Sequence, residues 1–153
     1  MSMPSPSLSA CPIARTLEIV GEKWSLLILR DIARGLHRFS DIHHSLNCPK
    51  NLLSARLKAL RTAGLVRTEE YREPGARARN SYHLTPAGVD LLPTLLALQS
   101  WGLAHLDRCE EPLGPVIHDG CGARVNTRLA CEEGHDVRPR ELRIAEVTPR
   151  DRE

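Results

Sequence analysis

The sequence predicts a mainly α-helical domain with one small β-hairpin, followed by a short C-terminal tail module. Of the 153 residues, 41% are hydrophobic but only 3% are aromatic. The core therefore has to be built from Leu, Ile, Val and Ala, which favours helices over a β-sandwich. Apolar residues recur with helical spacing as far as Gly64, and the two segments after it alternate as strands do. These three observations define the fold class.

Four helices are predicted before Gly64. They run from Pro12 to Gly21, over Lys23–Arg34, from a Ser40 cap to Leu46, and over about Lys50–Ala63. Proline at a first helical position and glycine after a last one set these bounds. Asn47-Cys48-Pro49 provides a tight turn before the fourth helix. The spacing of Leu53, Leu57 and Leu60 turns one face of that helix towards the core.

A β-hairpin and a long helix are predicted to follow. Leu65–Arg72 and Arg79–Leu84 are the strands, and Thr85-Pro86 caps the next helix, which Pro93 kinks or restarts. That helix continues to about Leu106 and carries an apolar stripe too wide for one small domain to cover. We therefore expect the stripe to form a homodimer interface. Its residues are Leu92, Leu95, Leu96, Leu103 and Leu106.

The chain divides into three segments by composition. Residues 1–10 are rich in Ser and Pro and are expected to be disordered; residues 11–108 form the main domain, and residues 109–153 form a linker and a small extension that holds a β-hairpin. No apolar run approaches the roughly 20 residues of a membrane helix, and the N-terminus lacks the pattern of a secretory signal. The five cysteines include no C-x-x-C pair. We therefore expect a cytoplasmic protein without a membrane segment.

Basic charge is concentrated in the middle of the chain. The formal net charge is +2 overall, yet Pro49–Arg79 alone holds eight Lys and Arg against three Glu. A local excess of positive charge indicates an anionic partner, and nucleic acid is the leading candidate. A helix that follows a tight turn can enter the DNA major groove while a basic hairpin reaches a neighbouring groove or the backbone. The sequence thus predicts a winged helix-turn-helix that binds double-stranded DNA.

The expected DNA contacts fall on the fourth helix and the hairpin. Residues opposite the buried leucines offer an amide, a hydroxyl, a small side chain and a cation to base edges, whereas flanking cations suit phosphates. The base-facing residues are Asn51, Ser54, Ala55 and Lys58; the phosphate-facing ones are Lys50 and Arg56 on the helix and Arg77 and Arg79 in the hairpin.

Several separated motifs resemble those of HxlR-type helix-turn-helix transcriptional regulators. They are Cys11-Pro12-Ile13, Gly21-x-Lys23-Trp24, Arg38-Phe39-Ser40-Asp41-Ile42, Leu53-x3-Leu57-x2-Leu60-x3-Gly64 and Tyr82-x-Leu84-Thr85-x2-Gly88. The resemblance covers about residues 11–108. It implies a dimeric, DNA-binding regulator with a MarR-like winged-helix core, Lys50, Asn51, Ser54, Ala55 and Lys58 on its recognition helix, and Arg77 and Arg79 in its wing. We expect a repressor and no enzymatic activity.

Two groups of cysteines and histidines leave alternatives open. Cys11 precedes Pro12 at a helix N-terminus near Arg15, a setting typical of reactive thiols. It is either a regulatory thiol that answers an oxidant or a small-molecule electrophile, with Cys48 as its disulfide partner, or a half-buried cap. His118, Cys121, Cys131 and His135 have spacings compatible with zinc. The alternatives are a disulfide and side chains without any ligand, and the sequence favours side chains without a ligand. No cofactor is required.

Two other functions remain as alternatives: a thiol-dependent redox protein or enzyme that uses Cys11, and a winged helix used only for protein contacts. Salt-sensitive binding to duplex DNA separates both from a DNA-binding regulator.

Overall fold

The structure is a computed structural model that describes residues 8–109 and 114–145. It consists of two compact units, the first ending at Gly114 and the second beginning at Pro115. In the first unit the elements are α1 (Pro12–Val20), α2 (Lys23–Ala33), α3 (Phe39–Leu46), α4 (Lys50–Thr62), β1 (Val66–Tyr71), β2 (Arg79–Leu84), α5 (Pro86–Val89) and α6 (Leu92–His105). The predicted fold class, a mainly helical winged helix-turn-helix with a β-hairpin, is confirmed.

Two details at the helix starts differ from the sequence prediction. Ser40 does not cap α3: Arg38 is the N-cap, and the Ser40 hydroxyl donates to the Asp41 carboxylate at 3.1 Å. The cause is that Arg38 is extended and bridges to Ser81 of β2, so the helix begins directly after it. Leu8–Ala10, which fall in the segment expected to be disordered, form a short 3₁₀ helix before α1; residues 1–7 lie outside the described residues.

One face of α4 supplies much of the core. Leu53, Leu57 and Leu60 are at most 1% exposed and pack in the same cluster as Ile28 and Ile32 of α2. Complete burial of one such side chain stabilises a fold by roughly 1.5–3 kcal/mol. This packing fixes which side of α4 is turned towards solvent.

The hairpin is closed at its base onto the end of α4. β1 and β2 pair in register from Val66 opposite Leu84 to Tyr71 opposite Arg79. Thr85 Oγ1 donates to the carbonyl of Gly64 at 2.5 Å, and the Thr85 amide donates to the carbonyl of Leu65 at 3.0 Å. The same Thr85 hydroxyl accepts the Gly88 amide at 3.2 Å, so Thr85 is the predicted cap of α5.

The second unit is small and open. β3 (Leu129–Ala130) pairs with β4 (Asp136–Val137), and Ile117 bridges to Arg124 in a separate hairpin. Every described residue from 117 to 136 in this unit is exposed. In neither described part of the chain, 8–109 or 114–145, is any helix long and apolar enough to cross a bilayer.

Candidate nucleic-acid interface

The turn before α4 is fixed by backbone geometry and burial. Asn47 ends α3 in the left-handed conformation, with φ of 47°, a region that asparagine tolerates better than most residues. Cys48 is buried in the core at 3% exposure. Pro49 is the N-cap of α4, and its carbonyl accepts the Leu53 amide at 3.0 Å. α4 therefore leaves the turn in one defined direction.

The solvent face of α4 carries most of the predicted DNA-contacting side chains. Lys50, Asn51, Ser54, Ala55 and Lys58 are all exposed, on the side opposite the buried leucines. Arg56 is placed differently, because it is half-buried and its Nη2 lies 3.6 Å from Oε1 of Glu22. The five exposed residues thus share one surface, while Arg56 is held towards the start of α2.

The wing presents its two predicted arginines to solvent. Arg77 and Arg79 are exposed, and within the described residues neither forms an ion pair within 4 Å. The start of the tip is anchored by Arg38, whose Nη1 lies 2.8 Å from Oε1 of Glu73 and whose guanidinium lies 5.1 Å from the ring centroid of Tyr71. This anchor joins the wing to the N-cap residue of α3.

A basic cleft between α4 and β1 adds cations that the sequence did not single out as site residues. The cleft has a volume of about 450 Å³ and is lined by Lys58, Arg61, Thr62, Val66, Arg67 and Thr68. Arg67 pairs with the Glu69 carboxylate, and the hydrogen bond from Arg67 lowers the pKa of Glu69. Nothing in the strand pattern indicated that Arg67 would line the same cleft as Arg61.

Two stacked histidines join the wing to the segment between α2 and α3. The ring centroids of His37 and His83 lie 4.3 Å apart. His37 Nδ1 lies 2.9 Å from the Tyr82 carbonyl, and the Tyr82 amide donates to the His37 carbonyl at 2.8 Å. Burial lowers the pKa of His83, and His37 lowers it further, whereas Glu69 raises it. The neutral imidazole of His83 is therefore favoured in the folded wing.

The two candidate regulatory thiols have different surroundings. Cys11 is the N-cap of α1, as predicted, and is half-buried, but its side chain makes no capping hydrogen bond. Cys48 is buried, and both thiols are free. An oxidant in solution therefore reaches Cys11 more readily than Cys48.

The predicted dimerisation leucines divide between the two sides of α6. Leu95 is only 8% exposed and belongs to the core, and Leu92 and Leu96 are half-buried. Leu103 and Leu106 are exposed, at 39% and 53%. Leu98 and Trp101, which the predicted stripe left out, are exposed as well.

The four candidate metal ligands of the second unit form two separate pairs. His118 Nδ1 lies 3.2 Å from Cys121 Sγ, and His135 Nδ1 lies 3.5 Å from Cys131 Sγ. Among residues 8–109 and 114–145, no three His, Cys, Asp or Glu side chains are arranged to hold one metal ion.

The fold and this interface define a class: a winged helix-turn-helix transcriptional regulator. The chain belongs to the HxlR-like helix-turn-helix family, whose model matches residues 19–110. The resemblance inferred from the motifs is thereby confirmed, and the family consists of regulators, not enzymes.

Relatives and solved structures agree with this assignment. The HTH-type transcriptional regulator Rv3095 of Mycobacterium tuberculosis is 37% identical over 131 residues, which cover 85% of this chain and 82% of the relative. The crystal structure of PA1607, a candidate transcription factor, is similar with a TM-score of 0.75 and 29% identity, covering 91% and 96% of the two chains. The redox regulator HypR in its oxidised form is similar with a TM-score of 0.57 and 28% identity, over 63% of this chain and 99% of that one.

Proposed function

We propose that this protein is a cytoplasmic, homodimeric repressor that reads a specific DNA sequence through α4 and holds the backbone through its wing. The observation that carries the proposal is the exposed face of α4, where Asn51 and Ser54 share a surface with Lys58, which lines a basic cleft. Amide, hydroxyl and ammonium groups match the hydrogen-bonding edges of base pairs in the major groove. The arginines of the wing supply positive charge for phosphates.

The test of DNA reading begins with sites selected by the protein from genomic DNA. We expect the selected duplexes to contain two related half-sites about one helical turn, roughly 34 Å, apart. Affinity for DNA should fall steeply as the salt concentration is raised, because protein binding releases cations condensed on the DNA and added salt opposes this release. A winged helix used only for protein contacts would select no sequence and show no such salt dependence.

Repression follows from occupancy, because a dimer that covers promoter DNA excludes RNA polymerase from the same stretch. Deletion of the gene should raise transcription next to the selected sites, and restoring it should lower transcription again. A fall in transcription on deletion would instead identify an activator.

The homodimer is supported by the apolar outer face of α6. Leu98, Trp101 and Leu106 are each more than half exposed in the single chain, at 52%, 57% and 53%. Several large apolar side chains exposed on one helix are typical of an interaction surface. We expect the wild type and Ile144→Glu, a change at a residue 99% exposed in the second unit, to be dimers by light scattering at micromolar concentration. Leu106→Glu should shift the equilibrium towards monomers, and a monomeric wild type would refute this part.

The proposal includes control of DNA binding by the thiol of Cys11. Cys11 is the more accessible of the two candidate thiols and stands at the start of α1. Modification of Cys11 adds bulk or a cross-link at that end of α1, which would displace the two α4 helices of the dimer relative to each other. A displacement of a few ångströms is enough to mismatch them with the two half-sites. The similarity to a redox regulator supports the same idea.

The decisive comparison is DNA affinity before and after a mild oxidant or electrophile. We expect the wild type and the control Cys109→Ser to lose affinity, and Cys11→Ser to keep it. If all three respond alike, Cys11 serves only as the helix cap.

A further inference from the structure

The described part of the second unit lacks the apolar core that normally holds a fold together. Within the described residues 115–145 no side chain is buried, and its large apolar residues are exposed, among them Ile117 at 58%, Leu142 at 59% and Ile144 at 99%. Domains below about 40 residues usually need a disulfide, a metal or a partner chain for stability. The cysteines of this unit are free. Another stabilising element is therefore required.

Each of its two turns already holds a thiol and an imidazole at chelating distance. Zinc ligands lie about 2.3 Å from the metal for sulfur and about 2.0–2.1 Å for nitrogen, so a tetrahedral angle places the two donors roughly 3.5–3.6 Å apart. The Nδ1–Sγ distances are 3.2 Å for His118 with Cys121 and 3.5 Å for His135 with Cys131. Both pairs use the same ring nitrogen.

The backbone holds each pair in place through a turn closed by a glycine amide. The Gly122 amide donates to the His118 carbonyl at 2.7 Å, and the Gly134 amide donates to the Cys131 carbonyl at 2.9 Å. Both glycines have positive φ, 69° and 80°, which side chains with a Cβ rarely adopt. Each pair is therefore set by its own turn before any ion arrives.

We propose that the second unit binds one Zn²⁺ through His118, Cys121, Cys131 and His135. The two pairs are half-sites in the described structure, since no three ligands meet at one point, and the ion draws them together. Only nine residues separate Cys121 from Cys131, and the entropic cost of closing a loop grows slowly with its length. As each zinc–sulfur bond forms, the thiol proton passes to solvent, and the imidazoles bind as neutral ligands.

Such a site is structural, because four protein ligands leave no open position for a substrate. Two thiolates balance the charge of Zn²⁺, so the closed unit carries no additional charge at its centre. Binding free energy then contributes directly to the folding of the unit. This replaces the missing apolar core.

The experiment uses the full chain, reduced and stripped of metal, with Co²⁺ as the spectroscopic probe and Zn²⁺ as competitor. We expect one equivalent of Co²⁺ per chain, visible bands typical of tetrahedral coordination with thiolate ligands, and complete displacement by Zn²⁺. Cys121→Ser and Cys131→Ser should each weaken binding at least tenfold. The matched control Cys109→Ser, another exposed cysteine, should bind as the wild type does.

A second measurement follows the fold of the unit itself. Zn²⁺ should protect the region of residues 115–145 from limited proteolysis in the wild type and in Cys109→Ser, but not in Cys121→Ser. Octahedral cobalt bands, equal binding by all variants, loss in only one of Cys121→Ser and Cys131→Ser, or binding without protection would each overturn the proposal. None of these readouts involves DNA, so the result is independent of the proposed function.

Discussion

Replacing both wing arginines, Arg77 and Arg79, with Ala should flatten the salt dependence of DNA binding. Each phosphate that the protein neutralises adds about 0.9 to the slope of log affinity against log salt concentration. A homodimer presents four of these arginines, so the slope should fall by about 3.6. Between 50 and 200 mM salt, the wild type should therefore lose about 150-fold more affinity than the variant.

The assay is fluorescence anisotropy at several KCl concentrations, with a selected site and a random duplex of equal length. Both duplexes should show the same change of slope, because phosphate contacts carry no sequence information. Replacing Arg140 and Arg143 together with Ala removes the same two charges from exposed positions in the second unit and should leave the slope unchanged. A slope within about 0.5 of the wild type for the double variant, or an effect confined to the selected site, would refute the role of the wing.

The remaining predictions concern base reading, packing and pH. Ser54→Ala and Lys58→Ala should each relax base preference by roughly 1–3 kcal/mol at their own positions, measured by competition between single-base variants of a selected site; equal losses on random DNA would contradict base reading. Gly88→Ala should destabilise the fold by roughly 1–3 kcal/mol in urea unfolding, because an added Cβ would lie 2.2 Å from the Leu65 carbonyl oxygen; unchanged stability would contradict the close approach. Burial lowers the pKa of His83 in the folded state, so the neutral ring contributes stability above the unfolded pKa of about 6.5, and this contribution is lost as the pH falls through the lower folded pKa. His83→Gln should therefore make the midpoint of urea unfolding less sensitive to pH between about 7 and 5. A pH profile identical to that of the wild type would contradict this role of His83.

The sequence predicted the elements whose signal is local. The leucine spacing of α4 and the Thr85-Pro86 cap each depend on residues within a few positions, so periodicity and capping rules were sufficient to place them. The exposed face of α4 followed directly from its buried one. For the same reason, Lys50, Asn51, Ser54 and Lys58 could be assigned to one surface.

Features that depend on contacts between distant residues were not predictable. The pairing of Arg38 with β2 moved the start of α3 away from Ser40, and no local pattern reveals a partner more than forty residues away. The ion pair that draws Arg56 towards Glu22 is another such contact. On α6 the apolar residues surround the helix, so a stripe could not show that Leu95 faces inwards while Leu98 and Trp101 face solvent. Only packing against α2 decides between these sides.

The closure of the hairpin by Thr85 onto Gly64 and Leu65 has a consequence for the proposed dimer, because it separates α4 and the wing from α5 and α6. β1 starts four residues after α4 ends, and Thr85 bonds back to that junction. This closure ties the position of the wing to that of α4, the helix that we propose reads the DNA. In the proposed homodimer, the distance between the two α4 helices would then be set by α5 and α6, which follow that junction. Under that proposal, base preference would change through the exposed side chains of α4, while the spacing of the operator would change separately through α5 and α6.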